Sequence, residues 1–497
     1  MNLRKSLFIV CVGLMIFGQL LAKVTLPNVL TSNMVLQQKE RVAIWGKAYP
    51  GERVTVEFAG QSRSCIATSD STWQVWLKPM NASFEKRDLI VREEENEIRL
   101  GNVLVGEVWL CGGQSNMEYP MDRTLKRYAA PARGEDLAEK EWQNPDAEGL
   151  RLFWVEKKYG LPDCQTKGWQ EAESAAIAPF SAAAYFFGKT LQEALQVPVG
   201  IIASSWGGSR IENWIPEDVY KQAPFYAKEQ MQHPTVKRKI ALYYDTMIRS
   251  LAPYTLKGFT WYQGESDAMA HDSLYVEKFE TLLNVWRTIF KDKTLSMYYV
   301  QIAPYLYSNR QRGDYKHDAC LKAWFADLQT NCMSLEHTGQ VIVTDLVDHL
   351  KDIHPSYKWE VGRRLALWAL AKDYNKKVVC CGPQLKRAYL KKKQVILTFR
   401  TEGSRLTAGV RDKDNNAFKA VNDKLTWFEV AGSDGVFRPV EAVIEDGKVV
   451  LDVADIKNPS KVRFGWNEQA MPNLFNEEGA SCNALLRGAV RRRSKNT

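Results

Sequence analysis

The chain has 497 residues, 45% hydrophobic and 25% charged, proportions of a folded globular protein that exclude a disordered or membrane-filling chain. That length calls for two to four domains of roughly 100–200 residues each. The formal net charge is +9, but Arg4 and Lys5 contribute two of it and Arg491, Arg492, Arg493 and Lys495 four, leaving three for the rest. No basic stripe with interleaved aromatic readers occurs, which excludes a nucleic-acid partner.

The first residues read as a secretory signal. Arg4 and Lys5 precede an apolar run from Leu7 to Leu21 and the small residue Ala22, after which cleavage is expected. The run is shorter than the ~20 residues of a spanning helix and no later segment qualifies. The protein is therefore expected to be exported, to the periplasm or beyond, with no integral membrane segment once the signal, 1–22, is removed. Of nine cysteines, Cys11 leaves with the signal, and the other eight show no C-x-x-C spacing. A zinc site is not indicated, and spacing assigns no disulfide.

From Val24 to about Gly101, short alternating runs such as RVAIW and RVTVEF, with a turn at Tyr49-Pro50-Gly51, predict a small antiparallel β-domain over 23–101. From Glu107 to about Tyr374 the pattern changes. Strands are predicted at Val108–Cys111, Gly200–Ala203, Gly258–Tyr262, Met297–Ile302 and Val341–Thr344, and helices at Phe180–Leu195, Val236–Leu251, Ser273–Phe290 and Tyr357–Tyr374. Alternating strands and helices imply an α/β domain, 102–376, with a largely parallel sheet covered on both faces. Sites in such sheets lie beyond the carboxyl ends of the strands. Strand patterns return after Cys380-Cys381-Gly382-Pro383, predicting a second β-domain over 377–497.

Polar clusters follow three of the predicted strands. The first strand runs into Gly112-Gly113-Gln114-Ser115-Asn116-Met117-Glu118. A serine between a strand end and a helix start has an exposed hydroxyl, beside backbone N–H groups that can receive an oxyanion. A plain serine N-cap beside a glycine turn has the same local pattern. Met117 breaks the G-x-S-x-G elbow of the α/β-hydrolases. The other clusters are Ser204 to Glu212 and Gln263-Gly264-Glu265-Ser266-Asp267. Glycine there admits close backbone approach and an amide can donate to an oxyanion.

Among the six histidines, His354 in Asp352-Ile353-His354-Pro355 follows the last predicted strand, where a neighbouring carboxylate would fix its tautomer. His349, beside Asp348, is the competitor. Arg210 is a candidate for a substrate carboxylate, because arginine pairs with carboxylates bidentately, and equally for a salt bridge with Glu212. Gln114, Asn116 and Glu265 are the other candidate substrate contacts.

These residues resemble the sialate O-acetylesterases and related carbohydrate acetylesterases of the SGNH superfamily. The likeness is carried by Gly106 to Glu118 (GEVWLCGGQSNME), Trp206 to Trp214 (WGGSRIENW), Trp261 to Asp267 (WYQGESD) and DIHP at 352–355. Met34 to Gln38, Ala43 to Ala48 and, more weakly, Gly432–Pro439, Val462–Trp466 and Asn473–Gly479 extend it over nearly the whole mature chain. The resemblance implies an SGNH-hydrolase (flavodoxin-like) three-layer α/β/α domain flanked by β-domains. It also implies a serine esterase acting on acetylated sialic acid or another acetylated glycan, without metal or organic cofactor. Ser115 would be the nucleophile and His354 the base. The oxyanion hole would comprise the Ser115 N–H, the Gly208 N–H, with Gly207 its rival, and the Gln263 side chain, which stands in for the family's asparagine. The usual D-x-x-H spacing is not met, since Lys351 stands three residues before His354. Asp352 or a backbone carbonyl is left as the orienting acceptor. The same catalytic set would serve a deacetylase of xylan or pectin. A non-catalytic sugar-binding protein, for which the 16 tryptophans would suit stacking, has no mechanistic need of Ser115, Gln263 and His354 together.

Overall fold

The computed structural model describes residues 23–94, 96–123, 128–232, 239–310 and 316–482, with the backbone of 485–488 and 491–492. The expected signal, 1–22, lies outside them. No helix among the described residues is long and apolar enough to cross a membrane.

A mixed α/β architecture is organised around one strand, Asn96–Gly113. Its first half pairs antiparallel with Ser83–Glu93 in the N-terminal β-region. Its second half lies parallel between Val199–Ser205 and Gly258–Tyr262. Across the central sheet the order is Thr338–Val341, Ser296–Val300, Gly258–Tyr262, Asn96–Gly113, Val199–Ser205, Leu150–Trp154 and Trp169–Glu171. Only the last pairing in that order is antiparallel. The expected domain boundary at 101 falls inside a continuous strand.

Alternation along this strand divides the core. Val108 and Leu110 enter one cluster, with Phe259, Trp261 and the helix residues Phe279, Leu282 and Trp286. Trp109 and Cys111 enter the other, with Ala183, Phe187, Val361 and Leu365 from the helices Ala182–Leu195 and Lys358–Lys372. Both faces are thus buried, which is why strands such as Val199–Ser205 and Gly258–Tyr262 read as near-continuous apolar runs. The first cluster continues without a break into Val35, Val54, Val56 and Leu77 of the N-terminal β-region. The C-terminal strands have a cluster of their own around Val395, Leu397, Val430 and Phe464.

Several expectations are corrected. The last sheet strand is Thr338–Val341, not Val341–Thr344. Leu150–Trp154 was not foreseen because Arg151 interrupts its apolar run, yet Arg151 is buried and paired with Glu171 at 2.8 Å. Of the helix expected at Val236–Leu251, 236–238 lie outside the described residues. The remainder forms only Tyr244–Met247 and a 3₁₀ turn, Arg249–Leu251. Its entry is diverted because the N–H groups of Ala241 and Tyr243 donate to the carbonyls of Glu212 and Asn213 instead of to a preceding turn. The helix Leu321–Asn331 was not foreseen.

The C-terminal region is tied to the central domain through Asp345, whose carboxylate accepts from Arg364 on the Lys358–Lys372 helix and from Arg411 at 2.8 Å. Burial alone would raise this carboxyl, but the two guanidinium groups outweigh it and hold it at about 2, below its ordinary 3.8. A depressed folded-state value stabilises above the ordinary value and ceases to do so as pH falls from 3.8 toward about 2. Without Arg411 the Asp345 carboxylate keeps both bonds to Arg364, so the loss is that of a hydrogen bond to a charged group, about 2 kcal/mol. Arg411→Met is expected to lower the unfolding free energy at neutral pH by about that amount in urea titrations.

Candidate active site

The register brings three strand ends to one level: Gly113 is opposite Ser205 on one side and Tyr262 on the other. The next residues leave the sheet together, with Trp206 N–H donating to Gly113 O at 3.0 Å and Gln114 N–H to Tyr262 O at 2.9 Å. Gly113 has φ +146°, and a Cβ there would lie 2.2 Å from Tyr262 O. Only glycine lets the strand end so close to its neighbour. Ser115 then opens a one-turn helix, Ser115–Glu118.

Ser115 and His354 meet here: Ser115 Oγ lies 2.9 Å from His354 Nε2. His354 Nδ1 lies 3.4 Å from Asp352 Oδ1, which also accepts the His354 backbone N–H at 2.9 Å. Burial pushes the Asp352 carboxyl up, but its bonds to His354 and the charge of Lys358 bring it below its ordinary value, keeping it ionised. A serine bonded to an imidazole, itself oriented by a carboxylate, is the arrangement that activates a hydroxyl nucleophile. His349 is exposed. Its neighbour Asp348 is bonded to Arg133 and Tyr357.

The two rival glycines differ. Gly207 N–H donates to Glu118 Oε2 at 2.5 Å, whereas Gly208 N–H meets no acceptor among the described residues. Gly208 is exposed at φ +76°, a left-handed conformation that favours glycine. The Ser115 N–H, at the helix start, is likewise unmet among the described residues.

Five expected positions are engaged within the protein. Gln263 is fully buried, and its Nε2 donates to the Asp267 carboxylate and to Ser209 O at 3.1 Å. Both its N–H groups are thereby used, so in this arrangement it offers none to an oxyanion. Arg210 is held by Glu212 at 3.1 Å and Asp267 at 3.3 Å through Nε and by Asp272 at 2.7 Å through Nη2. These three carboxylates lie within 4.8 Å of one another, and Arg210 and Lys278 supply the cations among them. Burial, opposed by Arg210 but reinforced by Glu212 and Asp272, pushes Asp267 up to about 7. Asn116 and Glu265 are buried at 0% and 1% exposure. Gln114 is also buried; its Oε1 accepts from the Gly264 and Ser266 N–H groups at 3.3 and 3.5 Å.

Asn116 is a bridge. Its Nδ2 donates to Glu265 Oε1 at 2.6 Å and to Ile353 O at 3.1 Å, while its Oδ1 accepts from Lys358 Nζ at 2.8 Å. Lys358 also donates to Pro355 O at 2.5 Å and sits over the rings of Tyr119 and Tyr262. The carbonyls on either side of His354 are thus pinned to residues beside the serine. Burial pulls Lys358 down to about 7 against the opposing charges of Glu265 and Asp352. Burial likewise raises Glu265, although Asn116, His354 and Lys358 oppose it. Sequence reading missed Lys358 and Glu118. A lysine four residues after the histidine, at the start of an amphipathic helix, was the signal available for the first.

A Ser–His–Asp constellation beyond the carboxyl ends of a parallel sheet, with two unmet backbone N–H groups beside the serine, has the construction of a serine hydrolase. Residues 105–370 match the family model "Carbohydrate esterase, sialic acid-specific acetylesterase". The chain is similar to the sialate O-acetylesterase of Rattus norvegicus, 28% identical over 78% of this chain and 80% of that one. It is also similar to that of Homo sapiens, 30% identical over 70% and 71%. Among solved structures, a carbohydrate acetylesterase from Xanthomonas citri superposes with a TM-score of 0.79 at 30% identity, covering 93% of this chain and 99% of that one. The chain belongs to the sialic acid-specific acetylesterase family of carbohydrate esterases and is a carboxylic ester hydrolase.

If Asn116 holds the histidine loop, Asn116→Ala should lower kcat roughly a hundredfold, the scale of a 1 Å misplacement of a catalytic group, with KM little changed. Glu265→Gln, which keeps an oxygen for Asn116, should lose far less. Steady-state kinetics on p-nitrophenyl acetate distinguish the two.

Proposed function

We propose that the chain is an exported SGNH-type serine esterase, with an α/β/α catalytic layer structure between two β-domains, that removes O-acetyl groups from a carbohydrate, foremost 9-O-acetylated sialic acid. The observation that carries this reading is the 2.9 Å contact between Ser115 Oγ and His354 Nε2, beside the unmet N–H groups of Ser115 and Gly208. The substrate class rests on the family relationship.

In the first half-reaction His354 Nε2 takes the Ser115 proton as Oγ attacks the acetyl carbonyl carbon, and the carbonyl oxygen becomes an oxyanion facing the Ser115 and Gly208 N–H groups. The imidazolium, stabilised through Nδ1 by Asp352, passes its proton to the departing sugar hydroxyl. Water, deprotonated by the same nitrogen, attacks the acetyl-serine and releases acetate. Gln114 is the better candidate for a third oxyanion donor than Gln263. Its Oε1 is anchored by two backbone N–H groups, and its Nε2 has no partner among the described residues. No step calls on a metal or organic cofactor.

One observation favours the second reading, a deacetylase of neutral polysaccharide such as acetylated xylan: Arg210 is already bound to three carboxylates. Acetate release from 9-O-acetylated sialic acid and from acetylated xylan, measured side by side, decides between them. A sialate esterase acts on the first at least tenfold faster, and the reverse preference establishes the second reading. Ser115→Ala should lower kcat by more than about a thousandfold on whichever ester is turned over. Gln114→Ala should lower it roughly a hundredfold. A Ser115→Ala variant that keeps wild-type turnover would falsify the serine mechanism.

A further inference from the structure

The residues just before Gly208 and a loop from the far edge of the sheet bring three aromatic rings together. Trp206 is stacked on Tyr243, with centroids 4.4 Å apart and planes 13° from parallel. Tyr159 stands edge-on to both, 5.8 Å from Trp206 and 6.2 Å from Tyr243. Exposure is graded across the three: Tyr243 is 7% exposed, Trp206 is half-buried and Tyr159 is 52% exposed. The outermost ring, Tyr159, faces water.

Tyr159 is exposed but held. Two residues before it, Lys157 Nζ pairs with Glu118 Oε1 at 2.8 Å, and the other oxygen of Glu118 accepts the Gly207 N–H at 2.5 Å. Two residues after it, the Leu161 N–H donates to Thr246 Oγ1 at 2.9 Å, and that hydroxyl donates back to Leu161 O at 2.8 Å. The loop is therefore fastened to the Ser115 helix on one side and to the Tyr244–Met247 helix on the other. Trp206 is bonded to Gly113 and stands two residues from Gly208, so their Cα atoms are at most about 7 Å apart. Tyr159 lies one ring further out, its centroid 5.8 Å from that of Trp206, and a fixed, half-exposed aromatic ring there suits the C–H face of a pyranose, which is apolar although its rim is hydroxylated.

We infer that Tyr159, backed by Trp206 and Tyr243, is a stacking platform for the sugar ring that carries the acetyl group, or for its neighbour in a glycan. Glu118 is the positioning residue that couples this platform to the oxyanion loop. The inference rests on the carbohydrate reading above and adds to it where the sugar lies: on the Val199–Ser205 side of the serine.

The test compares wild type, Tyr159→Ala and Tyr159→Phe on p-nitrophenyl acetate, which has no sugar, and on an acetylated sugar. For Tyr159→Ala the ratio of kcat/KM on the sugar ester to that on p-nitrophenyl acetate should fall roughly fivefold to tenfold, the worth of one aromatic contact. The change should sit in KM, and Tyr159→Phe, which keeps the ring, should restore most of it. An unchanged ratio, with or without equal losses on both esters, overturns the platform. A wild-type enzyme that hydrolyses p-nitrophenyl acetate but no sugar ester overturns the carbohydrate reading itself, and the platform with it.

Discussion

The hydrogen bond between Ser115 and His354 joins groups 239 residues apart in the chain, and the rest of the site can be understood as what holds that bond in place. The serine is fixed by the sheet: Gly113 ends its strand against Tyr262, and the helix begins two residues later. The histidine has no such support, since it stands in an irregular stretch before the Lys358–Lys372 helix. Asn116 and Lys358 supply it, by bonding the carbonyls of Ile353 and Pro355 on either side of His354. The serine's own neighbour in sequence therefore positions the loop of its base.

This explains why so much polarity is buried under a small site. Lys358 and Glu265 are both fully buried and opposite in sign, and Asn116 is bonded to each. Removing any one member leaves a buried donor or acceptor unmet, which costs more than the bond itself is worth. A second buried set, Arg210 and Lys278 with Glu212, Asp267, Asp272 and Glu229, braces the strand end that carries Gln263. One set serves the histidine and the other the floor beside the serine.

The sequence made the strand ends legible because glycine-rich polar runs follow apolar ones at Gly112, Gly207 and Gly264. The pair Ser115 and His354 could be named from those runs and from the family resemblance. The directions of side chains could not. Gln263 has the chemistry of an oxyanion donor, but Asp267, four residues on, captures its amide. Arg210 has the chemistry of a carboxylate receptor, but Asp272 reaches it from a separate loop. Such competition is decided by which groups share a space, and spacing along the chain does not record it. The preference of Gly208 over Gly207 likewise turned on where Glu118 points. The strand at Leu150–Trp154 was hidden by a buried arginine whose partner, Glu171, lies on the adjoining strand.

The shared strand has a consequence for how this protein can be divided. Asn96–Gly113 pairs within the N-terminal β-region at one end and delivers Ser115 at the other, while the family match begins at residue 105, midway along it. A cut there would remove the pairing of 96–105 with Ser83–Glu93 and expose the apolar surface common to both regions, although the pairings of 107–113 that set the level of Gly113 lie beyond it. The N-terminal β-region and the catalytic sheet share one strand and one apolar core, and the stretch matched by the family model, 105–370, begins inside both.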